Sequence, residues 1–234
     1  MRMEYNVFLM SICLGLTGIA RADTLAFDNG NKYEGDVQDG LMHGKGKLTY
    51  ADGATYDGDF KEGKRHGQGV LIRKFNDTRV IYTGAFVDDK ADGYAVQEVV
   101  GMFTIKAPCK DGLAHGKGTR TYVNGDSYEG EFRENHHYDG TYTWANGDKY
   151  TGTFGGHLPE GKGTLIQANG NRYTGEFHRG KYHGEGVLVF ADKTRYEGSF
   201  KNGMMDGKGE ITYPDGSAHK GEFKDDQIVL PVEK

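Results

Sequence analysis

Apolar and glycine positions alternate along most of this chain with a period of two. Tyr173, Gly175 and Phe177 share one face of a predicted strand, and Gly186, Leu188 and Phe190 share one face of the next. The second-strand pattern returns as Gly46, Leu48 and Tyr50 near the start and as Gly209, Ile211 and Tyr213 near the end. No 3.6-residue stripe of useful length interrupts it, so strands are expected throughout and helices nowhere. Asn or Asp before Gly punctuates the connections at Asp52-Gly53, Asn124-Gly125, Asn146-Gly147, Asn169-Gly170 and Asp215-Gly216. Such pairs supply the positive φ of tight hairpin turns.

The alternation is itself periodic. Tyr33-Glu34-Gly35 recurs as Tyr56-Asp57-Gly58, Tyr82-Thr83-Gly84, Tyr128-Glu129-Gly130, Tyr150-Thr151-Gly152, Tyr173-Thr174-Gly175 and Tyr196-Glu197-Gly198. A divergent unit begins at Ile105 and is marked by Gly112, His115-Gly116 and Gly118. Eight full units span 33–218, and half units flank them at 24–32 and from His219. A glycine beside each ring leaves room for an aromatic side chain to lie on the neighbouring backbone. Each ring buries about 150–250 Å², which offsets the weakness of glycine in a strand and of a lone hairpin.

Each unit resembles the MORN (membrane occupation and recognition nexus) repeat, close to Y-x-G-x-F, then N-G, then H-G-x-G. The unit at 196 shows it as Tyr196, Gly198, Phe200, Asn202-Gly203, Gly207 and Gly209. The resemblance implies an all-β fold: an elongated, twisted antiparallel sheet of consecutive β-hairpins, an open single-layer, solenoid-like array over 23–234. It also implies a lipid-associating or protein-scaffolding role.

Composition sharpens the picture. With 38 Gly and 36% hydrophobic residues the chain would read as disordered, were it not for 15 Tyr and 12 Phe at repeat positions. Arg2, the apolar run Val7–Ala20 and the small-x-small triplet Ala20-Arg21-Ala22 read as a signal peptide over 1–22, hence a periplasmic or secreted protein. Loss of Arg2, Arg21 and Glu4 turns 29 basic and 34 acidic residues into 27 and 33, a net charge of −6. Cys109 is then the one remaining cysteine; no internal disulfide forms, and burial of the thiol is expected. The face opposite the rings carries Glu34, Asp36, Asp57, Asp59, Glu129 and Glu131 with Lys45, Lys117, Lys162 and Lys208, a solvated face with cross-strand ion pairs.

No catalytic, cofactor or metal site is expected. The ladder His43, His66, His115 and His183 puts equivalent residues about 10 Å apart, too far for four imidazoles to share one ion; His136-His137 is the one sequential pair. Gly156–Gly163 approaches a phosphate loop but has Gly163 where Ser or Thr should follow Lys162. Repetition argues against catalysis, because an active site needs one asymmetric constellation. A protein partner, or self-association, ranks first. A lipid surface bound through the aromatic groove ranks second, since the net-acidic chain lacks the clustered Lys and Arg that anionic membranes attract. Glycan binding on exposed rings ranks third, and nucleic acid is excluded by the absence of a basic stripe. The stretch 73–109 breaks the pattern: three extra residues, Ala95 in place of Gly, Pro108 within a strand with a bulge or free edge expected, and apolar residues between. Phe75, Tyr94, Val99, Met102 and Phe103 are the candidate partner-contact residues.

Overall fold

The computed structural model describes residues 8–9 and 23–229 and contains strands and turns only among them. The segment 1–22, expected to be a signal peptide, therefore lies outside the described residues apart from β1 (Phe8–Leu9), which pairs with β2 (Asp23–Ala26). Two compact units divide the chain after His115. The first holds β1 and β2, β3 (Lys32–Gln38), β4 (Leu41–Thr49), β5 (Thr55–Lys61), β6 (Lys64–Phe75), β7 (Thr78–Val87), β8 (Lys90–Val99), β9 (Phe103–Lys110) and β10 (Leu113–Ala114). The second holds β11 (Gly116–Tyr122), β12 (Ser127–Arg133), β13 (His136–Thr143), β14 (Lys149–Gly155), β15 (Leu158–Ile166), β16 (Arg172–His178), β17 (Lys181–Val189), β18 (Arg195–Lys201), β19 (Met204–Thr212), β20 (Ala218–Lys224) and β21 (Gln227–Ile228). Within each unit every strand pairs antiparallel with the next, and first and last strands do not meet, so each is an open meander.

One layer buries its rings by folding them onto glycine. Tyr33 crosses from β3 onto Gly46 of β4, and a Cβ there would lie 2.4 Å from the ring. The Tyr33 hydroxyl then donates to the carbonyls of Asp36 (2.7 Å) and His43 (3.1 Å). Phe60 meets the edge of both Tyr33 and Tyr56, at 5.0 and 5.1 Å between centroids, and Phe86 joins Tyr56 to Tyr82. In the second unit Phe154, Phe177 and Phe200 alternate with Tyr128, Tyr150, Tyr173 and Tyr196 in the same edge-to-face manner. Each such contact adds about 0.5–1.5 kcal/mol to the burial itself. The first-unit series stops where Ile105 and Cys109 occupy the Tyr and Phe positions; both are buried.

The turns differ from the sequence expectation. The Asn/Asp-Gly pairs form the wider loops, where only the glycine has positive φ (Gly53 at 84°, Gly170 at 94°) and Asp52 accepts the Ala54 N–H. The two-residue turns with both residues at positive φ lie at the other margin, at Asp39-Gly40 and Asn202-Gly203 and also at Asp88-Asp89 and Glu134-Asn135. A bulge follows the first Gly-Gly pairing in the hairpins, as between Gly35 and Val37, and it presents the His43, His66 and His183 carbonyls to the Tyr hydroxyls. The recurring histidines thus contribute backbone oxygens there. Pro108 sits at this bulge position. Its carbonyl accepts the His115 N–H, so its nitrogen faces the bulged side and β8–β9 pairs through it without a register shift. A free edge at Pro108 is therefore not found on the β8 side.

Candidate functional site

Side chains that depart from the repeat gather in two places, one in each unit. In the first unit the extra residues lengthen β6 and β7, which run to the turn after Phe75, while the β8–β9 turn rises beside them. Phe75 and Met102 are 60% and 51% exposed, and Val100 is exposed too. The Val100 N–H donates to the Arg79 carbonyl and that of Met102 to the Val99 carbonyl, which fixes this turn against β7. Val80 pairs with Val99 and Val99 with Phe103, so Val99 and Phe103 line the ring-bearing face at this margin, half-buried. Tyr94 is separate. Its neighbour Ala95 is buried on the ring face opposite Gly84, so alternation turns Tyr94 to the other face, opposite Pro108 and 62% exposed. The structure therefore brings four of the five sequence candidates to one margin and leaves Tyr94 on the reverse side.

Beside that margin lies a cleft of about 320 Å³, lined among others by Arg65, Arg73, Phe75, Val80, Tyr82 and Gln97. Arg65 stands over the Tyr56 and Phe86 rings at 5.8 and 5.5 Å and pairs with Asp89 at 3.1 Å. Its Nη1 is buried with no hydrogen-bond partner. Cys109 is buried as expected; burial raises its thiol pKa, and its sulfur accepts the Gln97 amide at 3.3 Å.

In the second unit the departure lies on the ring-bearing face of β11–β14 and in the turn that follows. Where other repeats place Leu48, Leu165, Leu188 and Ile211, these strands present Arg120 and Tyr142. The place opposite Phe132 is taken by His137, which stacks on Tyr128 at 3.8 Å and 11°, as Tyr182 stacks on Tyr173 at 3.9 Å and 14°. His137 is 2% exposed and neither ring nitrogen has a partner. Burial, then the Arg120 charge and then His157 and His136, push its pKa from 6.5 down to about 3. His157 lies 4.8 Å from His137 and 5.4 Å from His136, and its pKa is lowered by burial and by Arg120. Tyr142 continues the line at 5.9 Å from His137, and Trp144 follows 4.8 Å from Tyr142. Among the described residues no group of His, Cys, Asp or Glu has the geometry to hold a metal ion.

The sequence signalled this strip only through His136-His137. The convergence of His157 depends on which turn lies next to which. The opposite face also holds more than solvated charge. Asp36 and Asp59 accept the bulge N–H groups of Lys45 and Gln68 at 2.9 and 2.8 Å, and Lys45 pairs with Asp59 at 2.5 Å. On β13 to β16 the charges give way to Thr141, Thr151, Thr164 and Thr174 on successive strands, with hydroxyl contacts of 2.9 and 3.1 Å.

The MORN repeat model matches residues 33–55, 56–74, 82–98, 110–127, 128–149, 150–172, 173–195 and 196–218. Residues 75–81 and 99–109, which include the exposed margin of the first unit, fall between matched segments. No curated protein matches the chain. Among solved structures it is similar to the SAS-4 (dCPAP) TCP domain in complex with a Proline Rich Motif of Ana2 (dSTIL) from Drosophila melanogaster. That chain is 11% identical, and the match covers 92% of this chain and 99% of that one at a TM-score of 0.22.

Proposed function

The chain belongs to the MORN repeat family, and from that premise we propose that it is an exported binding and scaffolding module that engages a protein partner through the irregular margin of its first unit. One observation carries this reading: Phe75, Val100 and Met102 are exposed together in the one region where the repeat is lost. A surface made in many copies fixes no register on a partner, so specificity belongs where repetition ends. Exposed apolar residues beside a cleft are the usual anchors of such contacts. The net charge of −6 without residues 1–22 favours a protein over an anionic lipid surface. Export is supported by Arg2, the apolar run Val7–Ala20 and the small-x-small triplet Ala20-Arg21-Ala22, after which Asp23 would become the new N-terminus.

The test is affinity capture with the chain from Asp23, followed by titration of each recovered partner. Replacing Phe75 and Met102 by Ser should weaken binding at least about tenfold, a loss of ~1.4 kcal/mol, with the β-type circular dichroism retained. Val123→Ser, an equally exposed change elsewhere, should leave affinity unaltered. Wild-type affinity in the folded double variant would remove this margin as the binding surface. Amino-terminal sequencing of exported protein should begin at Asp23, and an uncleaved Met1 would refute the leader assignment.

A further inference from the structure

The aromatic strip of the second unit is polar in a way its packing role does not require. His137 does the same stacking as Tyr182, yet it buries two ring nitrogens without partners. Leaving a buried polar atom unsatisfied costs about 1–3 kcal/mol, and a tyrosine or phenylalanine would avoid that cost. Arg120 occupies a leucine position, 5% exposed, its guanidinium 5.5 Å from the Phe132 ring and its Nη2 donating to the Asn135 carbonyl at 2.8 Å. Two further imidazoles, His136 and His157, stand exposed at the rim. The nearby carboxylate of Asp126 is engaged with the Tyr142 hydroxyl, the Ala145 N–H and the Asn124 amide. A guanidinium and three imidazoles thus border two half-buried rings, Tyr142 and Trp144, tilted 56° to one another. Few polar groups converging beside aromatic surface is the general form of a small-ligand site.

We propose that Arg120, His136, His137, His157, Tyr142 and Trp144 form a binding site for a carboxylate-bearing sugar, a uronate residue. The carboxylate lies among the imidazoles and the Arg120 guanidinium, and the sugar's C–H face rests on Tyr142 and Trp144. Entry is from the rim, where the His157 ring covers His137 and must swing aside. The site is independent of the partner surface in the first unit.

The groups facing His137 set the pH behaviour. They are Arg120 on β11, Tyr128 on β12, His136 and Tyr142 on β13, and His157 in the β14–β15 turn. With the pocket empty, Arg120 and the neighbouring imidazoles oppose protonation. A bound carboxylate reverses that field, so binding takes up protons and tightens as pH falls toward 6.

Trp144 is the chain's only tryptophan, so its fluorescence reports directly on the strip. Glucuronate, glucose and inorganic phosphate are titrated separately at about pH 6 and pH 7.5. Glucuronate should give a saturable change, at least about tenfold tighter at the lower pH, since uptake of one proton on binding changes affinity by up to about tenfold per pH unit. Glucose should bind at least about tenfold more weakly, the loss of a charge-assisted contact, and phosphate should leave Trp144 unmoved. His137→Tyr keeps the stack on Tyr128 and should lose glucuronate binding while its circular dichroism stays that of wild type; His157→Ala, at an exposed turn, should do the same. No saturable change with glucuronate, equal binding of glucose, or a His137→Tyr variant that titrates like wild type would overturn the assignment. Saturation by phosphate as tight as by glucuronate would also overturn it, because the rings would then play no part.

Discussion

His137→Tyr should make the second unit resistant to acid. In the folded chain His137 is neutral, because burial and the Arg120 charge hold its pKa at about 3 against an ordinary 6.5. Above 6.5 both folded and unfolded chains carry a neutral imidazole and the site contributes no pH dependence. Below 6.5 the unfolded chain takes up a proton that the folded one refuses. Stability is therefore lost as pH falls from about 6.5 toward 3. At pH 5 the gap is about 1.5 units, or ~2 kcal/mol at 1.36 kcal/mol per unit. Tyrosine at this place has a precedent within the chain: Tyr182 stacks on Tyr173 with nearly the same geometry. Urea unfolding followed by Trp144 fluorescence, which reports on the same unit, should show a fixed difference near pH 7.5, where only the cost of the unpartnered ring nitrogens separates the two proteins. That difference should grow in the variant's favour by about 2 kcal/mol on going to pH 5. Parallel stability profiles from pH 7.5 to 5 would refute the reasoning, since they would mean that His137 is protonated in the folded state or that the site opens without unfolding.

Gly186→Ala should destabilise the second unit by about 2–4 kcal/mol, because the new methyl would lie 2.4 Å from the Tyr173 oxygen and evict a ring held by the Glu176 and His183 carbonyls. In a Tyr173→Ala background the same change should cost under about 1 kcal/mol, the intrinsic scale of a glycine-to-alanine swap; an additive double-mutant cycle would disprove the link. Asp59→Ala should cost about 1–2 kcal/mol near neutral pH, measured by denaturant unfolding of the first unit, because it leaves the Gln68 N–H and Lys45 without their partner. Burial works to raise the Asp59 pKa, but Lys45 and the Gln68 N–H outweigh it, so the net shift is downward. Its stabilisation is present above the ordinary carboxylate range and lost as pH falls through it, and the cost of the substitution should shrink there. Cys109 should not react with a thiol reagent in the folded protein, since the sulfur is buried and its pKa raised; labelling at the rate of the unfolded chain would contradict its burial.

Alternation and recurrence along the chain determined the architecture. Tyr33, Gly35 and Gly46 carry the reason within one hairpin, because a ring can lie flat only where the facing residue lacks a side chain. That relation is local in sequence and repeats, so it can be read without coordinates. The 23-residue step likewise identified the eight units, and the interruptions near Phe75 and Pro108 were visible as failures of the step. The turn geometry was less visible. Asp-Gly and Asn-Gly suit both kinds of connection, and only the pairing register shows that Asp52-Gly53 forms the wide loop while Asp88-Asp89 manages the tight turn without glycine. The pairing register separated Tyr94 from Phe75 and Met102, because it seats Ala95 on the ring face opposite Gly84 and alternation then turns its neighbour Tyr94 to the reverse side. Tertiary structure alone brought His157 onto His136 and His137. Their approach depends on consecutive turns lying side by side at one margin of the sheet, a contact between repeats that no periodicity within a repeat encodes.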